Sequence, residues 1–225
     1  MIVNCERQAD LRATLLHPAI PRILDYFVRD AHAYLVQELV RGADLETILE
    51  AQPGFLPERV VVNWAIQLCD VLDFLHYNPH HPIIFRDLKP NNVMVDQASA
   101  VHLVDFGLAR AFPPRFFQEG PAGFEHFRKG LAIGTAGYSP PEQYQGIVVP
   151  QSDIYALGAT LHHLLTRRDP RKAPPFTFQT YPVRSINPAI SPGLEAIVMQ
   201  AVQREIGERF PTAKEMQMAL EKLGA

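Results

Sequence analysis

Between residues 83 and 107 an apolar run, Ile83-Ile84-Phe85, gives way to the polar stretch RDLKPNN, returns to Val93-Met94-Val95, crosses DQASA and ends in VHLVDFG. Two short apolar runs joined by a polar five-residue segment predict a β-hairpin. A hairpin brings its ends together, so Asp87 and Asn92 ahead of it and Asp105 behind it are expected along one edge. Such a set of polar groups is costly beside a core unless it is used.

The chemistry of that edge follows from the residue types. Asn92 and Asp105 offer hard oxygen ligands of the kind Mg²⁺ accepts, few in number and completed by substrate phosphates. Asp87 is then left to act as an acceptor. The bland alternative for Asp87, Lys89 and Asn92 is a polar turn after a strand, and for Asp105 a turn or helix cap.

The remainder of the chain reads as a few short strands followed by a helical body, an α+β class. NCERQADLRATLL has helical spacing and stops at His17-Pro18, because a residue before proline is pushed out of the helical region. RILDYFVRD and AYLVQELV read as two strands joined by a turn at residues 29–32. A long helix follows Pro57, with Val61, Ala65, Leu68, Leu72 and Leu75 on one face. Helices are expected again over DIYALGATLHHLL, over LEAIVMQAV after Ser191-Pro192, and after the capping box Thr212-Ala213-Lys214-Glu215.

Charge and composition exclude several classes. A formal net charge of −3, with no single-sign run, leaves no basic footprint for nucleic acid. The longest apolar stretch, around IYALGATLHHLL, is too short and too interrupted for a membrane span. Cys5 and Cys69 cannot build a disulfide framework and no leader pattern opens the chain, so a cytoplasmic location is expected.

FRDLKPNN followed by DFG resembles the catalytic loop and metal-binding motif of the bacterial eukaryotic-like Ser/Thr protein kinases. Phe85 stands where most relatives carry histidine. The resemblance continues through GTAGYSPPEQY, DIYALG and ERFPTA, and so covers essentially the whole chain. It implies a protein-kinase-like fold with a helical C-lobe over 41–225 and, over 1–40, a truncated N-lobe of one helix and two short strands ending in the hinge.

The resemblance also implies roles. Asp87 would accept or orient the proton of a Ser/Thr hydroxyl on a protein substrate, and Lys89 would neutralise charge on the transferring phosphate of ATP. Asn92 and Asp105 would hold Mg²⁺. Lys89 with Thr135 points to Ser/Thr acceptors. Gln37 would be the gatekeeper, the backbone of Glu38 and Val40 would meet the adenine, Asp44 would reach the ribose, and Met94 would form the floor under the base. Glu142 with Arg209 would form a buried ion pair, and Asp153 would hold the catalytic-loop backbone.

The chain departs from that pattern at its start. It contains no G-x-G-x-x-G, its first lysine is Lys89, and registering the first helix on His17-Pro18 puts Gln8 at the family's glutamate position. Glu6 lies about 200° around the helix from Gln8 and cannot substitute. The reading is a kinase domain lacking its first three strands, hence a very weak enzyme as it stands, since each missing electrostatic group costs about 10² to 10³ in rate. The alternative reading is a non-catalytic kinase-like module that binds a partner, and a small-molecule phosphotransferase ranks below both.

Between Gly107 and Thr135 there is no Ser, Thr or Tyr, so Glu119 or Glu125 would have to serve Arg86 in place of a phosphate. Phe112, Phe116, Phe117, Phe124 and Phe127 read as loop anchors. His76, His80, His81, His162 and His163 read as loop and helix-surface residues rather than a metal site. Met199, Met216 and Met218 read as core or groove fillers, Trp64 as core, and RRDPRKAPPF as a solvated loop.

Overall fold

The computed structural model describes residues 15–30, 32–79, 81–112 and 134–223. Gln8, Glu6, Glu119, Glu125, His80 and four of the five phenylalanines named above lie outside them.

Strand-forming Ile, Tyr, Phe and Val residues build the first two strands, the second with alternating burial. β1 (Ile23–Arg29) and β2 (His32–Gln37) pair antiparallel with Phe27 opposite Tyr34, and their rings stack at 5.0 Å. The chain then forms a strand that the alternation did not reveal, β3 (Gly42–Asp44). Asp44 ends it and caps α1 (Leu45–Ala51), accepting from the Thr47 backbone N–H at 3.0 Å and from the Thr47 hydroxyl at 2.7 Å. Three residues hold too little pattern to read as a strand, and they pair only because the chain at Val93–Asp96 lies alongside.

α2 (Glu58–His76) follows Pro57, and its expected stripe of Val61, Ala65, Leu68, Leu72 and Leu75 is fully buried, with Trp64 beside it. β4 (Ile83–Ile84) leads into the polar loop, and β5 (Val93–Asp96) and β6 (Val101–Leu103) form the expected hairpin, with Val93 opposite Leu103 and Val95 opposite Val101. β3 adds to its β5 side, and β7 (Arg110–Ala111) returns to pair with β4.

The helical body is layered on α2. α3 (Pro141–Tyr144) is one turn, and α4 (Pro150–Thr166) is buried along nearly its whole length. α5 (Val183–Ile186), α6 (Pro192–Ala201) and α7 (Ala213–Glu221) complete it, α7 packing on α2. Gly158 lets α4 and α6 approach closely, since a Cβ there would sit 2.7 Å from the Ala201 methyl. Ser191 caps α6 and Thr212 caps α7, through Oγ bonds at 3.2 Å and 3.0 Å. Leu15, Ala19 and Ile20 belong to the same core cluster as these helices, and Leu103 donates its backbone N–H to the Ala19 carbonyl at 2.8 Å. Among the described residues no helix is long and apolar enough to cross a membrane.

Three expectations about side-chain placement are corrected. Met216 is core, but Met218 points outward, because α7 buries only one face. The RRDPRKAPPF segment is solvated only in part: Lys172, Pro174 and Pro175 are exposed, whereas Arg167 donates to the Leu49, Gln52 and Gly54 carbonyls at 2.8, 2.9 and 3.0 Å and so closes the end of α1, and Arg168 stacks over Tyr181 at 4.2 Å. His76, His162 and His163 are buried, each with a polar partner.

His162 carries a pH signature. Its Nε2 lies 2.8 Å from the Tyr181 carbonyl oxygen, yet burial, helped by the charges of Arg168 and His163, pushes it down to about 4. An unfolded histidine titrates near 6.5, so between these values the unfolded chain binds a proton that the folded chain refuses. Stability is expected to be full above pH 6.5 and to fall as the pH drops, by about 2 to 3 kcal/mol from this residue at pH 4.5. Urea denaturation at pH 7.5 and pH 4.5 checks it: His162→Gln should lose much less between the two than the parent, and equal losses would dismiss the idea.

Candidate active site

The polar stretch between β4 and β5 is held from beneath by one carboxylate. Asp153, fully buried near the start of α4, accepts from the Phe85 N–H at 2.8 Å and the Arg86 N–H at 2.7 Å, and its Oδ2 lies 2.8 Å from His76 Nε2. Gln143 Nε2 donates to the Arg86 carbonyl at 3.0 Å, so both polar ends of the Arg86 peptide region are fixed. Arg86 has φ of 72°, a left-handed conformation that a non-glycine residue adopts only when its surroundings enforce it. Phe85 is buried and meets Phe106 edge to face at 5.1 Å, the apolar contact that ties the loop to the segment after β6.

Above that base the side chains close into a network. Lys89 Nζ donates to Asp87 Oδ2 and to Thr135 Oγ1, both at 2.8 Å, and the Thr135 hydroxyl donates to Asp87 Oδ1 at 2.6 Å. Asn92 Nδ2 donates to the Asp87 carbonyl at 2.8 Å and to Asp87 Oδ2 at 3.0 Å. Asp87 and Asn92 are buried, whereas Lys89 is partly open to solvent. Four of the five catalytic candidates therefore share one hydrogen-bonded cluster, although Thr135 lies 48 residues from Asp87 in the chain.

Asp105 joins by a different route. The Val104 N–H donates to the Asn92 carbonyl at 3.0 Å, which sets the next residue one Cα step from a direct neighbour of Asn92. Asp105 is left-handed at φ 60°, and its Oδ1 accepts from the Gly107 N–H at 3.1 Å. Among the described residues its carboxylate makes no hydrogen bond to Asp87 or Asn92.

A family comparison decides what kind of domain holds this arrangement: the protein kinase domain matches residues 4–191. The chain belongs to the protein kinase domain family. Among curated relatives, a probable serine/threonine-protein kinase of Streptomyces coelicolor is 33% identical over 96% of this chain and 32% of its own length. The serine/threonine-protein kinase PknB of Mycobacterium tuberculosis is 33% identical over 95% of the chain and 34% of its own length. The serine/threonine-protein kinase PknA of a Nostoc species is 36% identical over 90% and 35%. The chain spans about a third of the length of these relatives.

In this kinase domain the residues expected at the adenine side are placed as follows. Met94 sits in β5 between Asp44 of β3 and His102 of β6. Glu38 turns its side chain away to pair with Arg22, whose side-chain and backbone N–H groups hold its carboxyl below the usual range. A hollow of about 710 Å³ borders Glu38 and Val40 but includes none of Asp87, Asn92, Met94 or Asp105, so it is separate from the charged edge. Asp44 spends an acceptor position of each oxygen on Thr47.

The donor set at the edge fits a magnesium nucleotide. The Asn92 amide is oriented by two bonds from its nitrogen, which turns its oxygen away from Asp87, and Asp105 keeps an oxygen free of the Gly107 bond. One amide oxygen and one carboxylate oxygen make a sparse hard-ligand pair of the kind that suits Mg²⁺ completed by phosphates. Lys89 has three N–H donors, of which the network uses two.

Two supporting residues escaped the sequence reading. His76 continues the buried stripe of α2 one turn beyond Leu72, and that i+4 step was the available signal. Gln143 carried no signal beyond its place next to Glu142.

Proposed function

We propose that this chain is the substrate-platform and magnesium-nucleotide part of a Ser/Thr protein kinase that transfers the γ-phosphate of ATP to Ser/Thr hydroxyls of a protein. The observation that carries the reading is the closed Asp87, Lys89, Asn92 and Thr135 network. In it Asp87 orients the acceptor hydroxyl and takes its proton, and Thr135 and Asn92 fix the carboxylate in the required rotamer. The third N–H of Lys89 is available for charge on a phosphate oxygen. Asn92 and Asp105 would hold Mg²⁺, which would offset charge on the β- and γ-phosphates when bound. The backbone of Glu38 and Val40, the floor at Met94 and the remaining lone pairs of Asp44 would meet adenine and ribose.

Within these 225 residues no lysine precedes Lys89 and no glycine-rich phosphate loop occurs, so transfer is expected to be weak. Two missing groups at about 10² each put the rate about 10⁴-fold below the ordinary 1–100 s⁻¹. A fluorescent ATP analogue is expected to bind the purified chain only with Mg²⁺ present, and Asp105→Asn to weaken binding at least tenfold. Magnesium-independent binding, or an unaffected Asp105→Asn, would remove the catalytic reading. No nucleotide binding at all would leave the partner-binding module.

A further inference from the structure

We propose that Arg171 sets the acceptor-peptide preference of this domain by filling, from within the chain, an anionic notch formed by Glu46 and Asp169 beside the Thr135 segment. The inference deepens the kinase reading and rests on it for the word acceptor.

The notch lies close to the network at Asp87. Thr135 is followed by a tight turn in which the Tyr138 and Ser139 N–H groups both donate to the Thr135 carbonyl at 3.1 Å. Gly137 in that turn has φ of 88°, and a Cβ there would meet the Pro170 carbonyl carbon and oxygen at 2.6 Å and the Arg171 nitrogen at 2.8 Å. The turn therefore runs directly against the backbone of residues 170–171. Gly137 is two Cα steps from Thr135, at most about 7 Å of chain. A peptide whose hydroxyl reaches Asp87 would pass the notch within a few residues on one side.

Arg171 bridges the two carboxylates of the notch. Its Nε and backbone N–H donate to Asp169 Oδ1 at 2.8 and 2.9 Å, its Nη2 donates to Asp169 Oδ2 at 2.9 Å, and the same Nη2 pairs with Glu46 Oε1. Glu46 Oε2 is buried and has no hydrogen-bond partner among the described residues. Burial alone would raise Asp169, but the bonds and charge of Arg171 outweigh it and hold the carboxyl at about 2. Lys172 adds a second cation 3.6 Å from Asp169 Oδ2. Two carboxylates thus meet two cations, and no net negative charge is left for a basic peptide.

Removing the guanidinium would expose two carboxylates shaped for another one, and charge complementarity of this kind discriminates between partners. The role predicts a switch of preference, which loss of packing alone would not produce. Two fluorescein-labelled serine peptides, identical except that arginine or glutamine flanks the serine on both sides, are titrated by anisotropy in low salt. The parent should bind them within about twofold of each other, whereas Arg171→Ala should prefer the arginine peptide by about tenfold. High salt should erase the preference, as should Glu46→Gln with Asp169→Asn in the Arg171→Ala background, and Arg171→Lys should behave like the parent.

If Arg171→Ala does not fold, Arg171→Gln carries the same test. Equal changes for the two peptides, or binding of neither, would overturn the assignment. Magnesium-nucleotide binding is measured separately, so loss of the kinase reading and loss of this one are told apart.

Discussion

Asp153→Ala is expected to destabilise the domain by about 3 to 5 kcal/mol, the summed cost of leaving buried donors without an acceptor. The carboxylate is fully buried, and its removal strands the Phe85 and Arg86 N–H groups and one nitrogen of His76. His76 is already committed, with its Nδ1 buried and without a partner among the described residues. Asp153→Asn should fare little better, because an amide offers one oxygen to two backbone N–H groups and turns an NH₂ toward the other. The loss is also predicted to be local in its first effect. Arg86 is held left-handed by Asp153 below and Gln143 above, and without the first clamp it relaxes toward ordinary backbone, taking Asp87 with it. Urea denaturation gives the free energy, and hydrogen exchange should show the Phe85 and Arg86 amides losing protection before the core of α2. A cost below about 1 kcal/mol would mean that water replaces the carboxylate and that the loop does not depend on it.

The contrast between these residues explains what could be read in the chain. The hairpin and the placement of Asn92 were legible because alternation and a polar turn are local signals, and pairing does the rest. Asp105 was legible only as far as its backbone: the neighbouring residue bonds to Asn92, but its carboxylate is turned by a left-handed φ that no periodicity encodes. β3 stayed hidden because a three-residue strand is made by its neighbour, not by its own pattern. The basic segment at 167–172 misled for a related reason. The charges of Arg167 and Arg171 look solvated in sequence, and the groups that hold them, Leu49, Gln52, Gly54 and Glu46, lie more than a hundred residues earlier. The surface reading of the histidines failed because imidazole is judged by polarity, while His76 and His162 sit on helix faces whose other members are apolar.

The Glu142 and Arg209 pair was expected from two distant motifs, and the structure satisfies every polar atom of the guanidinium. Arg209 uses all five of its N–H donors. Nη1 reaches Glu142 Oε1 at 2.7 Å and the Gln151 carbonyl at 3.1 Å; Nη2 reaches Glu142 Oε2 at 2.9 Å and the Arg204 carbonyl at 2.9 Å; Nε reaches the Gln203 carbonyl at 2.8 Å. Ser152 Oγ adds a bond to Glu142 Oε1 at 2.9 Å, and the guanidinium lies 4.9 Å from the centre of the Tyr155 ring. Arg209→Ala leaves a buried carboxylate without its cation and three carbonyls without donors, and is expected to cost about 3 to 5 kcal/mol. Arg209→Lys should recover little, since an ammonium cannot span both carboxylate oxygens and the carbonyls on either side. Glu142→Leu with Arg209→Met is expected to be more stable than Arg209→Ala, because removing both charges abolishes the uncompensated one. A cycle of the two single variants and the double variant measures the coupling, expected at about 2 kcal/mol or more for a bidentate buried pair. Additive single losses would mean that the carbonyl bonds around Arg209, rather than its charge on Glu142, fasten the segment after Thr135 to the helical body.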